Sequence, residues 1–93
     1  MIPVFNKKLD YARIPKGALY VGRPTPLGNP FPIAGRDTRE DVIAMYFIWF
    51  HLMLDVNDFY WNVCQASQAT AFVCWCAPEA CHADVIAEYL STH

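Results

Sequence analysis

Residues 69–86 read ATAFVCWCAPEACHADVI, and the way this stretch divides decides the fold. Residues 69–77 carry no charge and consist of small, β-branched, aromatic and sulfur-bearing side chains, which predicts a central strand buried on both faces. Pro78 ends that strand. Cys81 then opens an amphipathic helix over 81–92, with Val85, Ile86, Tyr89 and Leu90 turned inward.

Working outward, ALYVG (18–22) is a second apolar strand that stops at glycine, and PVFNKK (3–8) is a short third one. Thr38 is placed to cap a long helix, with Asp41 three residues later completing a capping box and Asp37, Glu40 and Asp41 suiting the positive end of its dipole. That helix runs to about Asp55. Val42, Met45, Trp49 and Met53 form one apolar stripe, and Ile43, Phe47, Phe50 and Leu54 fill the next. VNDFYWNVCQASQ (56–68) reads as a second, shorter helix.

Strands 18–22 and 69–77 are therefore separated by a helical crossover. A connection of that length predicts parallel strands joined right-handedly. The expected fold is α/β: a small sheet with at least two parallel strands, helices packed against it, and a single domain over 1–93. Ligands in open α/β sheets bind beyond the carboxyl ends of the strands. Here that edge receives GRPTPLGNPF (22–31) after one strand and CAPEACH (76–82) after the other.

The chain has 93 residues, enough for one core, yet 55% of them are hydrophobic. That excess predicts a homodimer seam along the apolar helix 38–54. All seven basic residues (Lys7, Lys8, Arg13, Lys16, Arg23, Arg36, Arg39) lie in the first 39 positions, opposed there by Asp10 and Asp37, and seven acids follow. Either the two halves attract each other or the basic half faces a phosphate-bearing ligand. The acidic total argues against non-specific binding of duplex nucleic acid. The opening MIPVFNKKLDYAR lacks a long apolar run before a small-residue cleavage site, and the longest uncharged stretch is too short to span a bilayer. A cytoplasmic protein with reduced thiols and no membrane contact is expected, which disfavours a disulfide framework.

Three cysteines and a histidine within 74–82 have several readings. Cys74, Cys76, Cys81 and His82 supply four ligands for zinc, with Cys64 as a substitute, although their spacing is not that of two chelating pairs. Alternatively, Cys81 at a helix start has a lowered thiol pKa and acts as nucleophile or ligand. His82 would then be the acid/base group, with Asp84 in the same turn. Cys74 taken alone suits a core position. On the facing loop, Gly22, Gly28 and Gly35 allow close backbone approach, Asn29 offers donors and acceptors, and Arg23 can clamp an anion. The candidate set is thus Cys81, His82 and Asp84 for catalysis and Gly22, Arg23, Gly28, Asn29 and Cys76 for a nucleotide-like or other anionic ligand. A zinc-stabilised module, or an interaction protein of phage or host type, is the alternative.

LYVGR (19–23), GNPF (28–31), TREDVI (38–43) and CWCAPEACHADVI (74–86) together resemble the bacterial and phage family called domain of unknown function 4326. The resemblance covers residues 18–91. Leu27 departs from it, since the family commonly has tryptophan there. The resemblance implies a small α/β fold with a site at these residues, and it implies no particular reaction.

Overall fold

A computed structural model describes residues 1–32, 38–77 and 79–92. The expectations placed on Gly35, Arg36, Asp37 and Pro78 lie outside the described residues. Three strands, β1 (Val4–Asn6), β2 (Ala18–Tyr20) and β3 (Ala71–Cys74), form a wholly parallel sheet in the order β1-β3-β2. Three helices accompany it: α1 (Arg39–Met53), α2 (Asn57–Ala66) and α3 (His82–Thr92). The fold is α/β, with β3 central and buried at every position, as an uncharged run between two neighbours requires.

The register puts Val4, Phe72 and Leu19 on one face and Phe5, Val73 and Tyr20 on the other. Pairing continues beyond the strands: Lys7 N–H donates to Cys74 O at 2.8 Å and Val21 N–H to Val73 O at 3.0 Å. β1 therefore lies across β3 from β2, although the two are neighbours in sequence. The segment 7–17 must cross the sheet between them, and it includes a short 3-10 turn at Tyr11–Arg13. Gly17 ends the crossing with φ of 82°, a left-handed conformation that favours glycine, and its carbonyl accepts from Thr70 N–H at 3.1 Å.

The helices gather over the face that carries Phe72 and Cys74. Tyr46, Phe50, Phe59, Val63, Ile86 and Phe72 make a single buried cluster there. The capping box expected at Thr38 is present: Asp41 N–H donates to Thr38 Oγ1 at 3.2 Å, and Thr38 N–H to Asp41 Oδ2 at 2.9 Å. The inward stripe of α1 differs from the expected one. Val42, Tyr46 and Phe50 are buried, spaced by four residues, with Ile43, Trp49 and Met53 half-buried beside them. Met45 and Phe47, expected inside, face out with Ile48 and Leu52. A helix apolar on nearly every side gives the sequence no polar face to mark which side turns outward. Among the described residues no single helix is long and apolar enough to cross a membrane, and α1 and α2 meet at a bend of 111°.

Candidate functional site

The carboxyl ends of β2 and β3 open into a cleft of about 240 Å³. One wall descends from β2 through Val21, Gly22 and Arg23 to Asn29 and Phe31. The other descends from β3 through Cys74, Trp75 and Cys76 to Cys81 and His82. The start of α1 closes the end, with Arg39, Val42 and Ile43. The parallel pairing of β2 and β3 is what brings these distant segments together, so both expected segments reach one cleft.

His82 joins the two walls directly. Its ring is buried, and its Nε2 lies 2.6 Å from Val21 O. A carbonyl only accepts, so Nε2 carries the proton and donates, and Nδ1 keeps the lone pair. Burial is the main cause that holds this imidazole below its ordinary pKa, followed by the Val21 bond, which opposes it, and the positive charge of Arg23, which adds to it. The ring also meets the edge of Tyr46 at 5.1 Å. Tyr46 in turn donates its buried hydroxyl to Leu27 O at 2.8 Å, which fastens the 22–31 loop onto α1. Burial drives the pKa of that phenol up, so it stays a donor.

Asn29 ties its loop to α1 and braces the loop itself. Its Nδ2 donates to Val42 O at 3.3 Å and its Oδ1 accepts from Phe31 N–H at 2.8 Å. Gly28 does not line the cleft. It packs under Arg23, where an added Cβ would lie 2.9 Å from Arg23 N and 3.0 Å from Arg23 Cα. Its role is to let the loop close on itself, with its N–H donating to Thr25 O at 2.9 Å.

The sulfurs are arranged differently from the expected scheme. Cys74 and Cys81 are both buried, with their Sγ atoms 3.2 Å apart. The contact with Cys81 and, at 3.4 Å, the Cys76 N–H bond hold the Cys74 thiol down to about 6. Cys81 moves the opposite way: the contact with Cys74 raises it, and burial adds to the rise. The helix start thus does not make Cys81 the acidic thiol; Cys74, assigned to the core, takes that character. All four cysteines are free.

Asp84 stands outside the cleft, on the surface hollow beside Met1 and Ile2. Its Oδ2 accepts Cys81 N–H at 2.9 Å, as Asp41 does for Thr38. It is a cap of α3. The four proposed zinc ligands do not converge either: the His82 ring is turned to Val21 O, and among the described residues no three His, Cys, Asp or Glu side chains come together as a metal-holding group.

Charge and rings complete the cleft. Arg39 pairs with Glu79 at 3.0 Å and reaches Ala80 O at 3.4 Å, so it ties α1 to the 76–82 turn. Arg23 is exposed and has no ion pair among the described residues, because Glu79 is taken by Arg39 and Asp84 by the α3 cap. Tyr20, Phe31 and Trp75 bring aromatic surface to the rim. Sequence reasoning missed Arg39, Tyr20, Phe31, Trp75 and the tethering residue Tyr46. For Arg39 the signal was its place at a capped helix start; for the rings there was none beyond residue type.

The residues lining the cleft fall in the segments LYVGR, GNPF, TREDVI and CWCAPEACHADVI, and a family model spanning all four matches residues 4–92. The chain belongs to the family Domain of unknown function (DUF4326). No curated protein and no solved structure matches it. DUF4326 membership therefore extends the likeness to β1 as well as to the cleft segments, and it assigns no chemistry to the cleft.

Proposed function

We propose that this protein is a cytoplasmic α/β domain that binds a small nucleotide-like anion at the carboxyl edge of its sheet. The observation that carries this reading is Arg23: an exposed guanidinium, unpaired among the described residues, at the mouth of a cleft that a second arginine and three aromatic rings also line. A guanidinium fork suits phosphate or carboxylate, and ring faces suit a base. The volume lies just under the ~300 Å³ at which small-molecule pockets usually begin. It suits a phosphate and sugar inside, with a base at the open rim. The thiol pair supplies a reacting group: Cys74 as the thiolate, Cys81 as its proton donor and neutral His82 alongside.

Thermal-shift measurements with a panel of nucleoside mono- and diphosphates test the reading. At least one should raise the melting temperature, and Arg23→Ala and Arg39→Ala should each abolish that rise. A rise unaffected by both variants, or no rise with any nucleotide, would overturn it.

A second reading, self-association through α1, is favoured by its outer face, where Phe47, Ile48 and Leu52 are 51%, 62% and 68% exposed. Light scattering across a concentration series should then show a dimer that Ile48→Glu dissociates; a monomer at every concentration would refute it.

A further inference from the structure

Parallel sheets are usually covered on both faces, yet here the helices gather on one. Among the described residues, the other face, carrying Phe5, Val73 and Tyr20, has the crossing segment 7–17 against it and no helix of the core cluster. Between that segment and the sheet runs an open groove of about 720 Å³, walled by Tyr11, Tyr20 and Trp75 and edged by Lys7 and Lys8. Tyr11 is 78% exposed and Trp75 56%. The crossing segment holds four of the chain's seven basic residues, Lys7, Lys8, Arg13 and Lys16. Arg13 pairs with Asp10 at 3.2 Å, whereas the three lysines have no ion pair among the described residues.

We propose that this groove binds single-stranded nucleic acid, with bases stacking on Tyr11, Tyr20 and Trp75 and phosphates meeting Lys7 and Lys8. Exposed rings beside unpaired cations are the two components of such sites, and stacking tolerates any base. Duplex bases are already stacked and offer these rings nothing. From residue 40 onward there is no Lys or Arg, so the surface lacks the broad basic area a duplex needs. Lys7 Nζ now lies over the Tyr20 ring at 4.6 Å and the Trp75 ring at 5.5 Å, where a base would sit. Its flexible stem lets it turn from the rings to an incoming phosphate. This site goes beyond the cleft proposal and stands without it, although Tyr20 and Trp75 border both.

Fluorescence anisotropy with a labelled oligothymidylate and an oligouridylate of about a dozen nucleotides tests it. Two lysines facing phosphates give a log–log salt slope of about −1.4, so binding should weaken about sevenfold between roughly 50 and 200 mM salt. Trp75→Ala should weaken binding at least about tenfold, and Trp75→Phe should keep most of it. Exchanging Lys7 and Lys8 together for alanine should remove most of the salt slope. Arg39→Ala, which alters only the cleft, should leave oligonucleotide binding within about twofold while abolishing the mononucleotide response; melting curves confirm that each variant is folded. Four results would overturn the proposal: no binding at low salt, equally tight binding of a duplex, equal competition by polyglutamate, or losses caused by Arg39→Ala but not by Trp75→Ala.

Discussion

Replacing His82 with phenylalanine tests how the two walls of the cleft are joined. Phenylalanine keeps a flat ring against Tyr46 but deletes the donor to Val21 O, now 2.6 Å away. Val21 is fully buried, so its carbonyl loses that partner without gaining water. An unsatisfied buried acceptor costs about 1–3 kcal/mol. For a domain of this size each kcal/mol lowers the melting temperature by about 4–8 °C, so a mid-range cost of about 2 kcal/mol corresponds to roughly 8–16 °C. Thermal unfolding at pH 7.5, where His82 is neutral, reads the cost. His82→Gln, which restores a donor, should recover part of it. The acid side adds a second test. The folded-state pKa of His82 lies below the unfolded value of about 6.5. Below that pH the unfolded chain binds the extra proton, so native stability falls as pH drops, and it keeps falling until the folded pKa is passed. That acid slope should be shallower in His82→Phe. A variant as stable as the parent at pH 7.5, with the same acid slope, would refute the bridge between Val21 and His82.

Other consequences follow from the same geometry. Gly28→Ala would push a methyl against the Arg23 backbone at 2.9 Å, which cannot yield as a side-chain tip can, and should cost about 1–3 kcal/mol in urea unfolding; a cost below the error of the fit would show that the loop is looser than described. Cys81→Ala removes the contact that holds Cys74 down to about 6, so the thiolate absorbance near 240 nm that the parent gains near that pH should move to higher pH in the variant; an unchanged titration would refute the pairing. Asn6 donates to Trp75 O and Ala77 O at 2.9 and 3.0 Å while its Oδ1 accepts from Lys8 and Leu9 N–H. Asn6→Asp would aim oxygen at those two carbonyls and should destabilise more than Asn6→Ala, by about 3 kcal/mol or beyond; the reverse order would contradict this account of the 75–77 turn.

Much of the framework was legible because its signals are local. The uncharged run around Phe72 and Val73 marks a central strand, and Thr38 with Asp41 marks a helix start. Parallel pairing of β2 and β3 followed from the length of the crossover, and with it the meeting of Arg23 with the 74–82 segment. What was not legible depends on tertiary packing. Strands of three residues such as β1 have too few positions for a period, so nothing in VFN tells that it lies beyond β3 from β2. Tyr46 does not stand out in a helix apolar all round, though it is the residue that fastens the loop. The helix-start N–H does lower the Cys81 thiol, but the 3.2 Å contact with Cys74 and burial outweigh it. Asp84 could have been read correctly: it follows Cys81 by three residues, as Asp41 follows Thr38, and the same capping spacing was recognised in one place and not in the other.

The most direct test of the cleft is a backbone amide NMR titration with the nucleotide that gives the largest thermal shift. The account predicts that the perturbed amides form one set drawn from both walls, Gly22, Arg23, Asn29 and Phe31 together with Cys76, Cys81 and His82, and from Arg39 at the closed end. Perturbations confined to one wall, or lying on the far faces of α2 and α3, would contradict it.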